Sequence, residues 1–190
     1  MADKTIGTYH LADNPDLYEV LRSNTFEFVV TNIGDLLRAG AVEGDGRPLI
    51  INGQEVLRLS VVKAPIPNFK QEVLEIKRGN TVMKMAGVPT FDSGTIVVRD
   101  FIGADTKSVL MAWQKLSYDV KTEKVGRMSA YKKDCTLIEY TPDWKQVRYW
   151  ILKGCWISEI TGEDFDMESG ATKTISAKIE YDRAEMHLPD

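Results

Sequence analysis

Residues that carry chemistry are scarce in this chain. Of its 190 residues only two are cysteine, Cys135 and Cys155, and two are histidine, His10 and His187, near opposite ends. Thiols and imidazoles so placed make no zinc set. Both cysteines stand among apolar neighbours in strand-like runs, where they read as small hydrophobic filler rather than as a disulfide. There is no Gly-x-Ser-x-Gly elbow, and neither histidine stands where a general base is held rigidly. Gly44-Asp45-Gly46 is followed by no Gly-Lys-Ser/Thr, so it is no phosphate cradle. The expectation is a protein without catalytic residues, metal or cofactor.

Positive charge is also in short supply. Twenty-four Lys and Arg stand against 28 Asp and Glu, a formal net charge of −4, and Lys132-Lys133 is the longest basic run. A protein that grips nucleic acid draws its affinity from a basic patch, so that class is excluded. No apolar stretch reaches membrane-spanning length. The first twenty residues are polar, with Asp3, Asp13, Asp16 and Glu19, and read as an extended arm rather than a secretory leader, so the protein is expected to be soluble and made in a cytoplasm. A hydrophobic content of 43% suffices for a core within one domain spanning 1–190.

What the chain does have is strand periodicity. Phe26, Phe28 and Val30 alternate with polar residues, and Thr95–Phe101 reads as another strand. Asn52-Gly53 predicts a hairpin joining Leu49–Ile51 to Val56–Val62, because Asn-Gly accepts positive φ readily. Residues 34–48 have loop composition. One helix is expected over 105–120, capped by Asp105 or Thr106, with Val109, Trp113, Leu116 and Val120 at helical spacing. Thr136–Tyr140 and Gln146–Ile157 flank a turn at Thr141-Pro142-Asp143-Trp144, and a phase slip predicts a bulge around Leu152–Gly154. Ile175, Ala177, Ile179 and Tyr181 mark a final strand. Of the four tryptophans, Trp113, Trp150 and Trp156 read as core, and Trp144, in its turn, does not. The fold class is mainly β: an antiparallel barrel or sandwich with one flanking helix and an extended hairpin.

That hairpin, Glu72–Ala86 around Arg78-Gly79-Asn80, is the most informative stretch. Leu74, Ile76, Met83 and Met85 share one face; Val73, Glu75, Lys77, Val82 and Lys84 share the other. A two-stranded ribbon with an apolar face needs a cover, from its own barrel or from another copy of the chain. Glu163, Asp164, Asp166 and Glu168 form an acidic loop without the spacing or central glycine of a calcium loop, and so read as a solvated surface loop.

Several short motifs occur in a recognisable order: Arg22-Ser23-Asn24-Thr25-Phe26, Lys63-Ala64-Pro65-Ile66-Pro67, Ala86-Gly87-Val88-Pro89-Thr90-Phe91-Asp92, the helix with Trp113, Ala130-Tyr131-Lys132-Lys133-Asp134, Lys153-Gly154-Cys155-Trp156 and Phe165-Asp166-Met167-Glu168-Ser169. From Arg22 onward the chain resembles the tail tube proteins of contractile-tailed bacteriophages. It departs from that pattern at Trp156-Ile157, where the family typically has Trp-Pro, and in a longer segment 34–48.

The resemblance implies a barrel flanked by a helix, six copies closing into a ring, and rings stacking into a hollow tube within a contractile sheath. The implied partners are other copies of the chain, the sheath, tape-measure, baseplate and tail-terminator proteins, with DNA in non-specific transit and no membrane. The implied place is the virion tail, assembled in the host cytoplasm. The hairpin residues Val73 through Lys77 and Val82 through Met85 become candidates for self-association, and Glu163, Asp164 and Asp166 for the lumen wall. The alternatives are the inner tube of a type VI secretion or bacteriocin-like machine, an initiator or terminator at a tube end, and a monomeric barrel that binds a small ligand.

Overall fold

The computed structural model describes residues 20–34, 52–162 and 170–189. One curled antiparallel sheet dominates it. In chain order its strands are β1 (Phe26–Val30), β2 (Val61–Lys63), β5 (Gly94–Arg99), β8 (Lys133–Tyr140), β9 (Gln146–Gly162), β10 (Thr174–Glu180) and β11 (Arg183–His187). They line up as β1-β8-β9-β10-β5-β2, with β11 also on β9. Two further ribbons stand apart, β3 (Phe69–Arg78) with β4 (Thr81–Phe91), and β6 (Tyr118–Asp119) with β7 (Lys124–Val125).

Alternation decides which face is dry. Phe28 and Val30, Ile96 and Val98, Cys135 and Leu137, Leu152 and Ile157, and Ile175, Ala177 and Ile179 turn inward and are buried. Two helices close that concave face, α1 (Gly53–Ser60) through Val56 and Leu57, and α2 (Thr106–Lys115) through Val109, Leu110 and Trp113. A third helix, α3 (Met128–Tyr131), is a single turn. Trp113 is buried, and its indole N–H donates to the Tyr131 carbonyl at 2.9 Å, which satisfies the polar atom such a ring carries inside. The result is a half-barrel flanked by helices, mainly β as expected.

Four sequence expectations need correction. Asn52-Gly53 does not turn a hairpin. Asn52 is the N-cap of α1, its side chain accepting from the Glu55 N–H at 3.4 Å. The residues that follow place Gly53, Val56, Leu57 and Ser60 on one buried stripe, so helical spacing outweighs the dipeptide. The sheet is accordingly flanked by two substantial helices rather than one. The second of them ends at Lys115, with Leu116 as its C-cap, and Val120 falls beyond it, exposed. Finally, Thr174–Glu180 is not the last strand.

After Tyr181-Asp182 the chain continues as β11 along the same neighbour, keeping the register in which Glu180 faces Trp156 and Arg183 faces Lys153. Asp182 bridges the break, its N–H donating to the Lys153 carbonyl. The bulge in β9 is where the sequence places it. Lys133 faces Cys155 but Cys135 faces Leu152, so β9 carries one extra residue, and Gly154 takes a φ of +70° there.

Candidate self-assembly surface

The β3–β4 ribbon runs farther than 72–86 at both ends. Its register sets Leu74 against Met85 and Ile76 against Met83 on one face, and Glu75 against Lys84 and Lys77 against Val82 on the other. The two faces therefore divide as alternation predicts. Gly79 turns the tip with a φ of +61°, and Thr81 Oγ1 donates to the Arg78 carbonyl across it.

Among the described residues nothing covers either face of the ribbon. Every residue of β3 is exposed, Leu74, Ile76, Met83 and Met85 retain 46–49% of their surface, and Val73 and Val82 more than half. Among the described residues the ribbon pairs with no other strand. With about half of each already out of water, its four apolar-face side chains would each gain roughly 0.7–1.5 kcal/mol on full burial. The charged face carries one weak ion pair, Lys84 to Glu75 at 3.6 Å, both partners well exposed.

The ribbon is held at one end. Phe69 and Phe91 face each other with ring centroids 5.8 Å apart, and Phe91 meets Tyr181 at 6.1 Å. The Tyr181 hydroxyl accepts from the Asn68 N–H at 3.3 Å. Lys70 pairs with Asp92 at 2.9 Å. Two glycines fix the approach. A Cβ on Gly94 would stand 2.3 Å from Pro65 Cγ, so the Pro65-Ile66-Pro67 break packs directly on β5. In β4, Gly87-Val88 together oppose the single residue Glu72, and a Cβ on Gly87 would stand 2.8 Å from the Glu72 carbonyl oxygen. That bulge and Pro89, which has no N–H, spoil the outer edge of β4 as a pairing template, whereas β3 has no such interruption.

Little else invites chemistry. Among the described residues no three His, Cys, Asp or Glu side chains gather as metal ligands. Cys135 and Cys155 are free and buried, and burial, with the neighbouring Cys155 sulfur and Asp134, pushes the Cys135 thiol well above its ordinary value, so it is no nucleophile. His187 stacks on Tyr149 at 5.1 Å. No helix among the described residues is long and apolar enough to cross a membrane.

Surface grooves include two with a partly apolar lining. One, of about 610 Å³, opens where the edge strands β1 and β2 face each other, with the Arg148–Glu139 ion pair (2.6 Å) in its wall. The other, of about 640 Å³, lies between α2, the β6–β7 ribbon and Trp156-Ile157-Ser158 of β9. Sequence reasoning missed this second groove. Its wall comes from Ser117–Lys121, where helical spacing continues in the sequence to Val120 although the helix itself ends at Lys115. Candidates Glu163, Asp164 and Asp166, the arm up to Glu19 and the loop 35–48 lie outside the described residues.

The family model described as T4-like virus tail tube protein gp19 matches residues 49–185. No curated protein matches the chain by sequence. Among solved structures, the tube-terminating cap of the anti-feeding prophage superposes with a TM-score of 0.62 at 13% identity, covering 90% of this chain and 93% of that one. The sheath/tube terminator of an extracellular contractile injection system, PVC, gives 0.61 at 16% identity, covering 90% and 98%. A chain of the sheath–tube complex of that system gives 0.57 at 14%, covering 90% and 93%. At such identities the likeness is one of fold.

Proposed function

The chain belongs to the T4-like virus tail tube protein family, and from that membership we propose that it is the repeating subunit of a phage tail tube. Six copies close into a ring, and rings stack into a hollow conduit inside a contractile sheath, between baseplate and tail terminator. Tape-measure protein fills the conduit during assembly and DNA passes through it afterwards. The subunit acts as one tail-tube domain, by assembly and not by catalysis.

The observation that carries this reading is the uncovered β3–β4 ribbon. A closed ring needs a heterologous interface, one patch on each copy meeting a different patch on the next, and stacking requires a second such pair along the axis. Leu74, Ile76, Met83 and Met85 supply an apolar patch that the described residues leave uncovered, with Glu75, Lys77 and Lys84 setting polar register. The net charge of −4 suits a conduit for DNA, since a neutral or acidic wall does not hold phosphate. In this reading Glu163, Asp164 and Asp166 contribute to that wall.

A second reading keeps the tube and changes the machine. The fold likeness to tube proteins of the anti-feeding prophage and PVC favours an inner tube of a contractile injection or bacteriocin-like device. Gene neighbours separate the two, head, portal and terminase genes accompanying a phage tube. A dedicated end protein would stop at a single ring. Electron microscopy of the purified protein tests the proposal: rings and tubes are expected, whereas monomers alone at high concentration would overturn it and return attention to a ligand-binding barrel.

A further inference from the structure

The β3–β4 ribbon prolongs one border of the main sheet. Strand order there is β10-β5-β2, with β2 leading into β3 and β4 leading into β5. Within the ribbon, β4 therefore lies on the β10 side and β3 on the far side. The contact of Phe91 with Tyr181 puts the foot of β4 where β10 gives way to β11. A regular β4 would run on beside β11 from there. It does not: among the described residues β11 pairs with β9 alone, and its outer edge has no strand beside it. The cause lies in β4, whose bulge at Gly87-Val88 and whose Pro89 leave its outer edge unfit for a ladder.

Two edges are thus left without a partner among the described residues, the outer edge of β11 and that of β3. Within one chain β4 stands between them. Other open edges suit a ladder less well. β2 has three residues with Pro65 close behind, and β1 exposes no large apolar side chain. β11 does: Met186, opposite Trp150 on the core face, is 56% exposed, and Leu188 beyond it is 69% exposed. Arg183, Glu185 and His187 stand on the other face.

The side chains of the two edges match in one register. Antiparallel pairing with Ile76 beside Met186 sets Leu74 beside Leu188, so apolar meets apolar along the core face. On the other face it sets Lys77 beside Glu185 and Glu75 beside His187. A shift of two residues one way puts Glu75 beside Glu185 and Lys77 beside Arg183, like against like. The opposite shift puts Arg78 beside Met186. Parallel pairing with Ile76 beside Met186 again sets Glu75 against Glu185.

We propose that the outer edge of β11 is the seat of β3 from a second copy of the chain, antiparallel, with Ile76 beside Met186 and Lys77 beside Glu185. This rests on the tube-subunit reading and names the surface that receives the ribbon. The donor edge differs from the receiving edge, as a closing ring requires.

The test places a photo-crosslinking amino acid at Arg78, an exposed end of β3 that the register sets beside Ala184. It is carried by isotopically light chains mixed with heavy chains and irradiated at assembling concentration. Light–heavy adducts within residues 183–188 are expected. Adducts confined to single chains, or light–heavy adducts elsewhere, would overturn the proposal. Charge exchange gives a second readout. Lys77→Glu and Glu185→Lys each set like charges side by side, and each should raise the concentration needed for rings by at least about fivefold. Both changes in one chain should restore assembly, and failure of the double variant to do so would count against the register. Glu185 also pairs with Arg183, so urea unfolding of Glu185→Lys is measured alongside, and if its midpoint falls the crosslink on an intact β11 decides alone. Rings whose adducts avoid 183–188 would overturn this contact and leave the tube reading standing, whereas monomers alone would overturn both.

Discussion

Tyr140 shows how a single side chain ties the sheet edge to a helix. Its hydroxyl donates to Glu27 at 2.8 Å, and the same carboxylate meets Arg58 of α1 at 3.3 Å. Burial and the Glu27 carboxylate push the phenol up to about 12, Arg58 opposing. The phenol is neutral when protonated, so a raised folded value means that its contribution is fully present below its ordinary value of 10.0 and is lost as pH climbs toward 12. Tyr140→Phe should lower stability by about 1 kcal/mol at pH 8 and flatten the loss above pH 10, measured by urea unfolding across that range. At Gly154 the backbone itself is the constraint. Gly154→Ala puts an L residue at a φ of +70° with a Cβ 2.4 Å from Asp182 Oδ2. A loss of about 1–2 kcal/mol in thermal or urea unfolding is expected, from φ alone.

At the scale of elements, the strands were legible and one helix was not. Phe26–Val30 and Ile175–Tyr181 alternate cleanly because one face of each is solvated, and the β9 bulge announced itself through the phase slip at Gly154. Asn52-Gly53 misled because asparagine serves two geometries, the positive-φ turn and the helix N-cap, and the deciding contacts of Val56 and Leu57 with the sheet are long-range. Val120 misled by spacing alone: a helix ends where its packing ends. The uncovered ribbon yields the sharpest contrast at this scale. Met83→Asp should leave urea unfolding of the monomer within about 0.5 kcal/mol, since the residue is half exposed, yet block assembly seen by electron microscopy. Unfolding of the Met83→Asp monomer would instead assign the ribbon to its own core.

For the whole molecule, the mainly β architecture followed from residue patterns, whereas the pairing along β9 did not. That β10 and β11 act as one long partner of β9 depends on a register kept across Tyr181-Asp182, which no local pattern encodes. The candidate surface was legible as an amphipathic ribbon, because exposure of an apolar face is written in alternation. The α2 groove was not, because it is made by three separate segments meeting. In the proposed assembly the free monomer and the tube differ most at β3–β4. Amides at the outer edge of β3 should exchange with solvent quickly in the monomer and become protected in tubes, read by hydrogen–deuterium exchange on both forms. Equal exchange in the two would place the contact elsewhere.

The anchoring of the ribbon has a mechanical side. Ten residues of β3 rise about 3.3 Å each, so the tip stands about 33 Å from the joint formed by Phe69, Phe91 and Tyr181. A beam of that length, clamped at one end, converts a swing of about 10° at the aromatic joint into roughly 6 Å at Gly79. Stiffness against bending is then concentrated in three rings. A neighbour gripping the tip would feel a compliant lever, and replacing the exposed Phe69 ring would change how far the lever yields before it changes how firmly the barrel holds together.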